Sequence, residues 1–179
     1  MKPSRRTPRP LILALLAFAL LAAAACGPDV IRGRPPFVTP SELSLADDRL
    51  HAEFRFSNQN GVPMTISATE IVVSVRDTEL IRHAQRIDLP IDANSAEDLR
   101  VEQPVEPFVR TLLVSLDAGD LDSLPFDLSG SVQTAEDGML RFEYTGYLYR
   151  VPGRPGHYRA AVTQTRELRP GDPLRGGID

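Results

Sequence analysis

Apolar and polar residues alternate with a period of two along most of the chain, the pattern of strands with one buried face. Leu50, Ala52, Phe54 and Phe56 share one face of such a run, with His51, Glu53 and Arg55 on the other. Asn58-Gln59-Asn60-Gly61 interrupts the alternation, Pro63 closes the corner, and Met64, Ile66 and Ala68 resume it. The phase then slips to Ile71, Val73 and Val75. That slip predicts a bulge near Thr69-Glu70, since a one-residue slip otherwise turns every later side chain to the wrong face. A weaker strand runs from Leu80 to Leu89, and Leu99, Val101 and Val105 alternate after a polar turn.

One segment breaks the period. Val109, Leu112, Leu113 and Leu116 fall at i, i+3, i+4 and i+7, a single helical stripe that starts beside Pro107 and ends at DAGD. About seven strands with one short helix predict an all-β fold, an antiparallel β-sandwich with a helical crossover. The last two runs, FDLSGSV (126–132) and FEYTGYL (142–148), repeat aromatic-x-apolar-x-Gly-x-apolar around the turn residues TAEDGM. They predict a hairpin. A turn centred near Asp137 places Gly130 opposite Tyr144 and Gly146 opposite Leu128, large side chains covering bare glycine backbone.

The first residues change the picture of where this domain works. MKPSRRTPRP is basic, and LILALLAFALLAAAA supplies fifteen apolar residues before Cys26-Gly27. This reads as a signal peptide over residues 1–25, too short for the roughly 20 residues of a membrane span. Cys26 is the only cysteine. Its position resembles a bacterial lipobox, in which the thiol is acylated and becomes the mature N-terminus; the usual Leu three positions earlier is here Ala23. Gly27, rather than Asp, in the next position favours the outer membrane by resemblance to enterobacterial lipoprotein sorting, with the domain expected to face the periplasm. Residues 26–36, rich in Gly and Pro, read as a flexible tether, 37–163 as the folded domain, and 164–179 as a disordered tail. Without residues 1–25 the chain keeps 16 Arg and no Lys against 24 acids, a net charge of −8. That sign argues against nucleic acid as a partner.

Candidate chemistry is sparse. His51, His83 and His157 are scattered, and no G-x-S-x-G, P-loop, H-E-x-x-H or C-x-x-C occurs. Asp117, Asp120 and Asp122 cluster, but without the alternating oxygens and distant Glu of a calcium loop; they read as a solvated helix end. The expectation is a protein that is not an enzyme and uses neither metal nor cofactor. Asn58 can bond its own downstream backbone, Asn60-Gly61 tolerates positive φ, and Pro63 fixes the exit, so the corner reads as structural.

The order of these features resembles the WHy (water stress and hypersensitive response) domain of the group-2 late embryogenesis abundant proteins, including bacterial lipoprotein members. The match runs from about Val38 to Leu148. Asn58-Gln59-Asn60 stands where the family has Asn-Pro-Asn, followed by Gly61 and Pro63, and Gly130 and Gly146 form its paired G-x-V and G-x-L elements. The resemblance implies a fibronectin type III-like sandwich and a role in tolerance of desiccation. On this reading the protein is lipid-anchored at Cys26 and shields client proteins or membrane surfaces by non-catalytic binding. The other reading is an envelope adaptor that binds a protein or apolar ligand within a transport or assembly system.

Overall fold

The computed structural model describes residues 31–166. Residues 1–30, which include the expected signal peptide and Cys26, and the residues after Arg166 lie outside the described residues. Eight strands and one helix follow in the order β1 (Phe37–Ala46), β2 (Arg49–Ser57), β3 (Met64–Val75), β4 (Thr78–Ile91), β5 (Ala96–Pro104), α1 (Pro107–Ala118), β6 (Leu124–Thr134), β7 (Gly138–Arg150) and β8 (His157–Arg166). All strand pairs are antiparallel, in the spatial order β4-β3-β6-β7-β8-β1-β2-β5.

The strands form one curled, nearly closed sheet. Its seam between β1 and β8 is narrow, with only Leu43↔Tyr158 and Ser44↔His157 in register. On the other side β4 and β5 are brought together by a side chain. The Gln103 amide donates to the Leu80 carbonyl at 2.9 Å and accepts from the Arg82 N–H at 3.2 Å. A side-chain amide thus supplies one rung that a backbone ladder otherwise provides.

Period-two burial follows the predicted faces. Leu50, Ala52, Phe54 and Phe56 are all buried, as are Ile71, Val73 and Val75. The phase slip in β3 occurs at Ser67, two residues before the expected place, with register shifts between Ile66 and Ala68 toward both neighbours. Its cause is Thr69. This residue turns inward and its hydroxyl donates to the Ser131 carbonyl at 3.4 Å, whereas Ala68 is only half-buried. A hydroxyl with a backbone acceptor can occupy an interior position that apolarity alone assigned to alanine.

Helix α1 buries Val109, Leu112, Leu113 and Leu116, the stripe read from the sequence. Pro107 stands in its first turn, and Gly119 ends it in the left-handed conformation at φ 87°, with its N–H on the Leu116 carbonyl. Tyr158 of β8 fastens the helix to the sheet, its buried hydroxyl donating to the Leu113 carbonyl at 3.1 Å.

Two tight hairpins were not evident from composition. Asp47-Asp48 joins β1 to β2, and Arg76-Asp77 joins β3 to β4, all four residues at positive φ between 47° and 61°. Both are two-residue turns whose twist suits flanking strands, built without glycine.

Candidate functional site

The Asn58–Pro63 corner connects β2 to β3, which do not pair with each other, so it is a crossing between two parts of the sheet and not a hairpin. Asn58 and Asn60 are buried, 3% and 1% exposed, inside a segment whose Gln59 and Gly61 face solvent. Burying two amides is costly unless each polar atom finds a partner. Asn58 Oδ1 accepts from the Asn60 N–H at 2.9 Å, closing the expected Asx turn. Its Nδ2 lies within hydrogen-bond distance of the Val62, Asp92 and Ile91 carbonyls, at 2.8, 3.1 and 3.3 Å, tying the corner to the end of β4.

Asn60 looks the other way. Its Nδ2 donates to the Arg34 carbonyl at 2.9 Å and its Oδ1 accepts from the Arg34 N–H at 3.0 Å. The Gly61 N–H donates to the Ile31 carbonyl at 3.0 Å. Neither Asn60 nor Gly61 is at positive φ, contrary to expectation; the left-handed residue here is Asn94, at φ 56°, in the neighbouring loop. Asparagine is used at position 60 for its two-point amide, not for its backbone freedom. Residues 31–36, expected as part of a flexible tether, are correspondingly bound to the fold. Pro36 is buried and its carbonyl accepts from the Tyr144 hydroxyl at 3.2 Å. Burial pushes the Tyr144 phenol up to about 12.

The hairpin glycines sit in a register two residues from the expected one. Thr134 pairs with Gly138 around the short turn Ala135–Asp137, which places Gly130 opposite Phe142 and Gly146 opposite Phe126. The Thr134 hydroxyl sets this turn by accepting from the Asp137 N–H at 3.0 Å and donating to the Gly138 carbonyl at 3.1 Å. A Cβ on Gly130 would stand 2.6 Å from the Phe142 ring and 2.2 Å from the Glu70 carbonyl oxygen. One on Gly146 would stand 2.8 Å from Phe126 and 2.3 Å from the Ala161 carbonyl oxygen. Aromatic rings occupy the space that both glycines leave.

The outer face of β1, β2 and β5 carries several ion pairs. Arg55 and Asp98 form a two-point pair at 2.9 Å, Arg100 meets Glu53 at 2.9 Å, and Glu102 is shared by Arg49 and His51. The Arg55 hydrogen bond holds the Asp98 carboxyl below its ordinary range. An open groove of about 440 Å³ runs over this face, lined by Glu42, Ser44, His51, Glu53, Arg100 and Glu102. Its charged groups face one another as pairs, so it offers a salt-bridged surface.

The remaining candidates are dispersed. His157 lies at the start of β8 beside Glu42 and Arg154. His83 points inward from β4 with Nε2 buried and without a hydrogen-bond partner, and burial lowers its pKa. Asp117 accepts from the Gly156 N–H at 3.2 Å and so joins the helix end to the β7–β8 loop, while Asp120 and Asp122 are exposed. Among the described residues no group of three or more His, Cys, Asp or Glu is placed to hold a metal ion, and no helix is long and apolar enough to cross a membrane.

The Gln103 bridge, the Tyr144 hydroxyl bond to Pro36 and the hold on the Ile31–Pro36 segment were not evident in the sequence. Periodicity carries no signal for contacts made by backbone or by one amide.

No known protein-family profile matches this chain, and no curated protein matches its sequence. Among solved structures, a crystal structure of an Archaeoglobus fulgidus protein is similar at 13% identity and TM-score 0.41, over 65% of this chain and 98% of its own. The solution structure of an Arabidopsis thaliana protein is similar at 12% identity and TM-score 0.42, over 73% of this chain and 95% of its own.

Proposed function

We propose that this is a lipid-anchored protein of the bacterial cell envelope whose WHy-type domain protects proteins or membranes during water loss by non-catalytic binding. The anchor is Cys26, the membrane is the outer one, and the domain faces the periplasm. On this reading the curled sheet is a fibronectin type III-like sandwich whose two layers meet at the narrow β1–β8 seam. Asn58, Asn60, Gly61, Pro63, Gly130 and Gly146 then serve the fold.

The observation that carries the reading is the paired-charge face. Exposed ion pairs are worth little in water, about 0–1 kcal/mol each. Their Coulomb attraction grows as the surrounding dielectric falls. A surface whose carboxylates already have arginine partners, as on β2 and β5, keeps its charges neutralised when water is withdrawn. The reading is tested by drying a labile enzyme with residues 27–179 and with an equal mass of inert protein. More activity should be recovered with the domain; equal recovery would defeat the proposal.

A second reading, an envelope adaptor, is favoured by the stretches of β4 and β5 between the Asp92–Ser95 loop and the Gln103 bridge, which pair with no strand among the described residues. Open edges accept added strands. A stable partner recovered from solubilised envelopes, lost on placing proline in β4, would favour it.

A further inference from the structure

The Asn60 amide binds backbone alone on the N-terminal segment, both groups of Arg34, and Gly61 adds the Ile31 carbonyl. These contacts, with Tyr144 on Pro36, hold the path of the chain and not its side chains. They lie at one end of the barrel, beside the Asp92–Ser95 loop, whose Asn94 N–H donates to the Asn60 carbonyl at 3.2 Å, and the Ala135–Asp137 turn, whose Ala135 N–H donates to the Thr65 carbonyl. The opposite end holds α1, the Asp47-Asp48 hairpin and the Val151–His157 loop. There Arg110 of α1 meets Asp48 of the hairpin at 2.6 Å, and Asp117 of α1 accepts from the Gly156 N–H of the loop at 3.2 Å. Strands of ten residues, such as β1, separate the two ends by roughly 30 Å.

We propose that the corner end of the barrel faces the lipid headgroups and the helix end faces away, with the Asn60–Arg34 clamp setting that orientation. The inference rests on the lipid-anchor reading. Cys26 and Ile31 are separated by five residue steps, at most about 18 Å of extended chain. A domain gripped at Ile31 and Arg34 therefore cannot present its far end to the same membrane without breaking the clamp.

Acylation would consume the only thiol, so a single new cysteine can be labelled on the full-length, processed protein. Gln59→Cys marks the corner end and Asp120→Cys the helix end. The protein is placed in vesicles of phosphatidylethanolamine and phosphatidylglycerol containing a headgroup-attached quencher. The Gln59→Cys label should be quenched several-fold more than the Asp120→Cys label; equal or reversed quenching overturns the orientation. Inserting a long Gly-Ser spacer between Gly27 and Pro28 leaves the clamp intact and should abolish the difference; an unchanged difference overturns the tether's role. Flotation with the vesicles reports the anchor separately. Loss of flotation defeats the lipid reading itself, whereas flotation without a quenching gradient defeats only the orientation.

Discussion

The Phe142 ring lies against the backbone of Gly130 across the β6–β7 ladder, closer than any Cβ at that glycine would permit. The Glu70 carbonyl closes the same space from β3, and backbone cannot move aside as a side chain can. Gly130→Ala should therefore cost about 2–3 kcal/mol, at the upper end of overpacking. Denaturant unfolding of the mature domain measures it. A loss below about 0.5 kcal/mol would show that the glycine is not needed there.

The buried amide of Asn58 gives a second test. Asn58→Ala orphans the Asn60 N–H and removes the donor from three carbonyls, each buried loss worth about 1–3 kcal/mol. A destabilisation of about 2–4 kcal/mol is expected. Asn58→Asp keeps the acceptor but sets a carboxylate against carbonyl oxygens, and should be at least as harmful at pH 7. Urea midpoints of the two variants decide; a neutral Asn58→Asp would contradict the geometry.

The Arg76-Asp77 hairpin predicts a gain. Both residues are at positive φ, where a side chain costs about 1–2 kcal/mol and Asn or Gly costs less. Arg76→Asn with Asp77→Gly should raise stability by about 1 kcal/mol, read as a higher thermal midpoint. A lower midpoint would count against the turn assignment.

Two pH limits follow from burial. His83 has its pKa lowered in the fold, so its neutral form is favoured. Stability should be full above its unfolded value near 6.5 and fall as acid reaches the folded value. His83→Gln should flatten that acid limb. Burial raises both Tyr144 and Tyr158 to about 12, with the Asp117 charge adding to the second. Their contribution is complete below the unfolded value near 10 and is lost between pH 10 and 12. Tyr144→Phe should shift the alkaline unfolding edge upward, followed by circular dichroism against pH; an unmoved edge would exclude Tyr144 as its cause.

What the sequence revealed depended on whether side-chain polarity carried the information. Helix α1 was legible residue by residue, because its four buried positions form one stripe on a segment bounded by Pro107 and Gly119. The all-β pattern was legible for the same reason. The glycine hairpin was legible in kind but shifted by two, since TAEDGM admits several turn lengths and the Thr134 hydroxyl selects the short one. The β3 bulge was misplaced because Thr69, not Ala68, turns inward. The grip on residues 31–36 was not legible at all, being made to backbone atoms of a segment with no periodicity.

The most direct test of the central claim is survival after drying of a strain lacking this gene. Survival should fall against the parent and return with the wild-type gene, but not with a Cys26→Ala copy, which the account releases from the membrane. Unchanged survival, accompanied by a loss of envelope integrity, would contradict the protective role and favour the adaptor.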